Sequence, residues 1–402
     1  MSLDSALNSL FTTRSADLQG GSIFDIPLFG GGLSAVNNKS AMTLSAFYNG
    51  VDQLSNDIAK LPKGVFRKEN DSRFAVSDHP VNYLMAIAPN EMMTAFDFWK
   101  IVVVSVILKG NSYARIVRNK TTGAQTAWIF LDKSDVEVIR MQDKLYYKYK
   151  GEVIDSADIL HIKGMSYDGI IGIPIVTFAA KQLGVSLEAQ EYGATVYKDR
   201  GLGYGVIEAD GDVNPANKKA IEEGFVSKMS QKSPFKVPML DNGMKYKSIT
   251  ISPAEAQFLE TNKNGVIEVA RWLNINPYKL KELGNSNFSN MQQMSIEHVQ
   301  DSLLPWIVRI EQEVTRKVFT DQEKMTLYVK LNEKFLLRGD LAARSQYYKD
   351  MIFASVMPPN EVRALEDLNP IEGLDEPLIA VNMQPLSVAK NSAQQNLNNT
   401  KK

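Results

Sequence analysis

With 402 residues the chain is too long for one compact core and is expected to form two or three domains. Its 45 basic and 46 acidic residues leave a net charge of −1, which argues against a tight grip on nucleic-acid phosphates. There is no cysteine, so disulfides and thiolate chemistry are excluded, and the longest apolar run, residues 101–108, is far short of a membrane span.

Residues 1–41 are rich in Ser, Gly and Asn, with Gly30-Gly31-Gly32 among them, and read as a flexible N-terminal arm. Asp4 and the lack of a cationic stretch speak against a secretory signal. Folding is expected to start near Met42. Leu44, Phe47, Val51, Leu54, Ile58 and Leu61 recur at steps of three and four, which predicts a helix with one apolar face, ended by Pro62. Short extended pieces follow at residues 65–67 and 74–76. Thr94-Ala-Phe-Asp97 spells a capping box, with Thr94 accepting from the backbone and Asp97 reaching back to it. The helix it opens is stopped by Gly110. Strand signals at residues 113–118, 127–131, 136–140, 145–149 and 159–162 then predict an antiparallel sheet packed on the two helices, an α+β arrangement.

Past Gly172-Ile-Pro174 the spacing predicts a long helix over residues 174–200, with Pro174 in its first turn. Ala179, Ala180, Gly184, Ala189, Gly193 and Ala194 would let other helices come close. Lys181, Glu188, Glu191 and Lys198 make it too polar, on this reading, to bury a face in the chain's own small core. Residues 201–252 read as a small α+β insert, with strands at 205–208, 237–240 and 246–251 and a helix at 215–230. Ser252-Pro-Ala-Glu255 opens a second long helix running to about Trp272, so the insert sits at the tip of a two-helix stalk. A loop at 274–290, a helix at 291–319 and a helical pair at 340–355 and 360–368, broken by Pro358-Pro359, complete the folded chain. Residues 385–402 are expected to be a disordered tail.

The stretch Leu283-Gly-Asn-Ser-Asn-Phe-Ser-Asn-Met-Gln-Gln293 is the best candidate for a working surface. Its amides and hydroxyls need partners that flanking helices seldom provide, so it is expected to face solvent or something polar and mobile rather than to pack. Most polar loops are only solvated connections. The functional reading, with Lys279 and Lys281 beside it, is a loop facing a polymer such as DNA. Signals for catalysis are weak. Gly201-Leu-Gly-Tyr-Gly205 has a helix before it and a strand after it, the reverse of the dinucleotide-binding order. His79, His161 and His298 have no ligand spacing, and His161 reads as a structural strand residue. Arg338-Gly-Asp340 is read as an N-cap at Asp340.

Several segments, in this order and spacing, resemble the portal proteins of tailed bacteriophages and prophages over residues 42–384. They are Ser45-Ala-Phe-Tyr-Asn-Gly-Val-Asp-Gln-Leu-Ser-Asn-Asp-Ile-Ala-Lys-Leu-Pro62, Gly110-Asn-Ser-Tyr-Ala114, Asp158-Ile-Leu-His-Ile-Lys163 and Asp168-Gly-Ile-Ile-Gly-Ile-Pro174. Leu240-Asp-Asn-Gly-Met-Lys-Tyr246, Gln257-Phe-Leu-Glu260, Leu336-Leu-Arg-Gly-Asp340 and Asn360-Glu-Val-Arg363 continue the series. One departure is Ala354-Ser-Val-Met357, which stands where the family often has a glycine at the turn.

The resemblance implies an α+β portal fold assembled as a dodecameric ring. Its wing would be residues 42–172 and 291–334, its stem the helices 173–200 and 253–273, its clip 201–252 and its helical crown 335–384. Residues 274–290 would be the tunnel loop, with Lys279, Lys281, Asn285, Ser286, Asn287, Phe288, Ser289 and Asn290 lining the DNA channel. The implied partners are double-stranded DNA passing through, the terminase large subunit, the major capsid protein with scaffold, and a head–tail adaptor. No membrane, metal, cofactor or catalytic residue is implied, and the place is the capsid vertex of the virion after assembly in the host bacterial cytoplasm. Rival readings are a cytosolic scaffold or adaptor without a channel, and an enzyme with a dispersed site at Asp168 or His161.

Overall fold

The computed structural model describes residues 36–69, 72–142, 144–198, 205–208, 219, 245–248, 254–282, 288–337, 341–366 and 368–378. The chain divides into two units, residues 1–330 and 331–402.

In the first unit a short turn, α1 (Asn38–Ala41), leads into α2 (Ser45–Ala59). Phe47, Val51, Leu54 and Ile58 are all buried, on the face their spacing predicts. Lys63 Nζ donates to the carbonyls of Ala59 and Leu61 at 2.8 and 2.7 Å, so the acceptors at the end of α2 are not left open. An antiparallel hairpin follows, β1 (Lys63–Glu69) and β2 (Ser72–Ala75), then α3 (Pro80–Ala86), which has no predicted counterpart. α4 (Ala95–Lys109) begins at the predicted cap, where Thr94 Oγ1 accepts from Asp97 N at 3.2 Å. Asp97 does not close the box as expected: its carboxylate takes the Thr94 hydroxyl at 2.7 Å instead of the backbone N–H. α4 buries Phe98, Trp99, Val102, Val103, Val106 and Ile107, and Gly110 ends it at φ +76°. Trp99 stands edge-on to Trp128 with ring centroids 6.2 Å apart, and its indole N–H reaches the Met85 carbonyl at 3.0 Å.

The strands are β3 (Asn111–Arg118), β4 (Gln125–Leu131), β5 (Val136–Met141), β6 (Lys144–Tyr149), β7 (Glu152–Asp155) and β8 (Ile159–Lys163). They form two sheets and not the single one expected, in the orders β4-β3-β8 and β5-β6-β7. The connection from β4 to β5 explains the split: Asp132 accepts from Ser134 N at 2.8 Å and caps a tight 3₁₀ turn, which leads the chain out of the first sheet. Lys150 and Gly151, at φ +48° and +90°, then turn β6 straight back into β7. Tyr113, Leu131, Val136, Tyr147, Ile154 and Ile159 form the apolar cluster that joins the two sheets.

α5 (Ile175–Lys198) starts one residue after Pro174, whose carbonyl accepts from Thr177 N at 3.1 Å. Contrary to expectation, its first turns do enter the chain's own core: Val176, Ala179 and Leu183 are buried. β9 (Gly205–Glu208) and β10 (Lys245–Ser248) pair antiparallel. The predicted helix 215–230 and strand 237–240 lie outside the described residues, apart from the helical Lys219. α6 (Ala254–Leu273) packs along α5, and a Cβ added at Gly265 would sit 3.0 Å from Ser186 Oγ.

The helix expected at 291–319 is divided into α7 (Phe288–Glu297), a π-helical turn over His298–Leu303, and α8 (Leu304–Val318). Pro305 accounts for part of the break, since it offers no N–H to the carbonyl of Asp301 four residues back. Asn274 Nδ2 donates to that carbonyl instead, at 2.8 Å. α8 is fastened to the first sheet at its far end, where Arg118 and Gln125 donate to the carbonyls of Lys317 and Val318 at 3.0 and 2.6 Å. β11 (Leu327–Leu331) then lies beside β1 in a sheet of order β11-β1-β2.

The second unit holds α9 (Leu341–Phe353) and α10 (Pro359–Leu365). Asp340, the proposed N-cap, lies outside the described residues. α9 ends in a Schellman motif, with Val356 N on Met351 O at 2.9 Å and Ser355 N on Ile352 O at 3.0 Å. Ser355 is left-handed at φ +59°, so the glycine-poor turn keeps the glycine geometry and accepts the strain. Its hydroxyl offsets part of this by donating to Leu378 O at 2.7 Å. A Ser355→Val variant is therefore expected to lose about 1 kcal/mol, while Ser355→Gly is close to neutral, as read by chemical denaturation.

Candidate functional site

Residues 274–282, the described first part of the loop expected at 274–290, are packed. α6 closes in a second Schellman motif, with Asn274 left-handed at φ +51° and Ile275 N on Ala270 O at 2.9 Å. Ile275 is buried, as is Leu280 at the end of the 3₁₀ turn Pro277–Leu280, and Asn276 caps that turn from Oδ1. Both side chains lie over Gly50 of α2. A Cβ there would meet Leu273 Cδ1 at 2.4 Å, Ile275 Cδ1 at 3.2 Å and Leu280 Cδ2 at 3.3 Å, which is why a glycine occupies the middle of a helix.

Two turns further along α2 is Asp57, 1% exposed among the apolar residues of that face. Its carboxylate takes Lys60 Nζ at 2.6 Å, His298 Nε2 at 2.9 Å and Gln53 Nε2 at 3.0 Å, and Lys279 Nζ stands 3.7 Å away. Burial alone would raise the carboxyl's pKa. The bonds from His298, Lys60 and Gln53, with the charge of Lys279, outweigh it and hold Asp57 far below the usual carboxylate range.

The structure thus separates the two lysines singled out in the sequence. Lys279 is turned inward to Asp57 and lies 5.5 Å from the ring of Tyr278. Lys281, left-handed at φ +66°, is exposed. Asn285, Ser286 and Asn287 lie outside the described residues, and Phe288, Ser289 and Asn290 are in the first turn of α7, not in a loop. The Asp57–His298 pair was missed in the sequence. Its one signal was an acid at an inward position of the stripe formed by Leu54, Ile58 and Leu61.

The groups named for the enzyme reading have other occupations. Asp168 Oδ1 accepts from Ile170 N, Ile171 N and Ser166 Oγ at 2.7, 2.9 and 2.8 Å, closing its own loop. His161 is buried between Asn111 Oδ1 and Tyr147 Oη, each 3.0 Å from one ring nitrogen. Its backbone N–H donates to Glu313 of α8 at 3.1 Å.

A model of the phage portal protein family matches residues 45–367. The chain belongs to the phage portal protein family. This portal chain is 26% identical over 353 residues to the portal protein of Enterobacteria phage HK97, covering 86% of this chain and 83% of that one. To the probable portal protein of Streptomyces phage phiC31 it is 27% identical over 376 residues, covering 88% and 81%. Its fold is similar to the crystal structure of an HK97 family phage portal protein from Corynebacterium diphtheriae, with a TM-score of 0.58 at 16% identity over 77% of this chain and 99% of that one. It is also similar to a chain in the neck of a native gene transfer agent particle computed with C12 symmetry, with a TM-score of 0.55 at 18% identity over 85% and 97%. The portal fold is α+β, as expected, and portal proteins are structural components of the virion.

Proposed function

We propose that copies of this chain close into a ring of twelve whose bore passes double-stranded DNA during packaging and ejection. The observation that carries this reading is the family match across residues 45–367. In this reading the wing is residues 42–172 and 291–334, the stem α5 and α6, the clip 201–252 and the crown 335–384. The ring serves as the docking platform for the terminase large subunit and the head–tail adaptor, with the major capsid protein and scaffold around the wing, and it assembles in the host bacterial cytoplasm.

The physical case for the bore is one of weak contact. Each neutralised phosphate adds salt-dependent affinity, so a wall rich in cations would stall a moving duplex. A net charge of −1 and a loop of Asn, Ser and Gly suit sliding. Lys281 is the cation placed outward next to that loop, and charge reversal there should hinder DNA passage without loosening the fold. Lys281→Glu is expected to form rings of unchanged mass and thermal midpoint but to package DNA several-fold less well. Negative-stain images and native mass measurement of the purified wild-type protein test the ring itself. A monomer, or a particle with no axial opening, would end the reading.

A further inference from the structure

A carboxylate buried as deeply as Asp57 is a poor device for stability alone. A buried ion pair is close to neutral against apolar side chains of similar volume, yet losing one partner leaves an uncompensated charge in the core. Such a cluster is better suited to setting register, because only one alignment of the surrounding segments satisfies the charge. Here the segments are three: α2 supplies Asp57, Gln53 and Lys60, the 3₁₀ turn supplies Lys279, and the π-helical turn supplies His298.

The apolar contacts point the same way. Gly50 and Asp57 are two turns apart on one face of α2, so residues 273–280 lie along that face with Leu273, Ile275 and Leu280 at one end and Lys279 at the other. The Asn274–Asp301 bond is a second tie from this segment to the π-helical turn. The turn that carries Lys279 and the π-helical turn that carries His298 are therefore both held to α2 at one carboxylate.

We propose that Asp57 is a positioning residue: an ionic clasp that fixes residues 274–282 and the π-helical turn to one face of α2, in which Lys279 works as a clasp residue and not as a phosphate contact. The clasp is a property of one chain. It rests on the channel reading only for what the held segment faces. In a ring it would present residues 274–282 of every copy at the same height.

Hydrogen exchange followed by mass spectrometry on the full-length protein tests this, with packaging as a second readout. Lys279→Met is expected to lower protection of residues 274–282 about tenfold while β5 and β6 keep theirs, since local opening is read region by region. Lys279→Arg should restore most of that protection, and Lys281→Met should leave it unchanged. Unaltered exchange in Lys279→Met together with reduced packaging would overturn the clasp and return Lys279 to the phosphates. An equal loss of protection across the chain would also overturn it, because Asp57 would then be only a core residue. Failure of the wild-type protein to form rings would defeat the channel reading while leaving the exchange result to stand by itself.

Discussion

Gly172→Ala is expected to destabilise the first unit by about 3 kcal/mol, a large effect for one added methyl group. An added Cβ would sit 2.1 Å from the Gly110 carbonyl oxygen and 2.8 Å from the Gly164 N–H nitrogen. All of these are backbone atoms, so no flexible side chain can move aside. The three glycines meet through one backbone bond and one side-chain clamp. Gly164 N donates to Gly110 O at 2.8 Å, and the Asn111 side chain grips Gly172 from both sides, accepting from its N–H at 2.7 Å and donating to its carbonyl at 2.7 Å. Separating them loosens the clamp three residues before α5 begins, so the variant should also form rings poorly. Gly64→Ala is the control: its nearest neighbour would be Phe66 Cε2 at 3.5 Å, an ordinary contact, and a change within about 0.5 kcal/mol is expected. Denaturation curves that placed the two variants together would refute the argument.

This junction shows how much could be read before the fold was known. Gly110-Asn-Ser-Tyr-Ala114, Asp158-Ile-Leu-His-Ile-Lys163 and Asp168-Gly-Ile-Ile-Gly-Ile-Pro174 stood out in the sequence as separate marks whose order suggested a family. In space they are one object: Asn111 holds Gly172, His161 bonds Asn111, and Asp168 closes the loop that brings Gly172 back. Rules that act within one turn of chain were legible, such as the Thr94 cap, the Gly110 stop and the apolar face of α2. The partnership of Asn274 with the carbonyl that Pro305 leaves open spans 27 residues and has no local signature. The split of the strands into two sheets depended on a capped turn at Asp132 that pattern alone reads as any other turn. At the candidate site, residue chemistry picked out Lys279 and Lys281 together. Only packing tells them apart, because an inward lysine needs a buried anion, and Asp57 lies more than two hundred residues earlier in the chain.

Acid should weaken the protein well above the range in which carboxylates titrate, and His161 is the reason. Its Nε2 donates to Asn111 Oδ1, an oxygen that also accepts from Gly172 N, so its Nδ1 is the acceptor for the Tyr147 hydroxyl and the ring is neutral. Burial, then the charges of Lys163, Lys317, Arg316 and Lys133, push its pKa from 6.5 down to about 3. In the unfolded chain the ring protonates as pH falls through 6.5, whereas the folded chain resists protonation until about 3. The unfolded state therefore binds the extra proton over this window, and stability is present in full above 6.5 and lost as pH falls towards 3. At about 1.4 kcal/mol per unit, roughly 2 kcal/mol should be gone by pH 5. Asp132, held down to about 2 mainly by Lys109, contributes stability that is lost only as pH falls from 3.8 towards 2, and it is separable on that ground. His161→Gln keeps a donor for Asn111 and an acceptor for Tyr147 but cannot titrate. Urea titrations at pH 7, 6 and 5 should show the wild-type stability falling at least 1 kcal/mol more than that of the variant. Parallel slopes for the two proteins would mean that the ring is already charged in the fold.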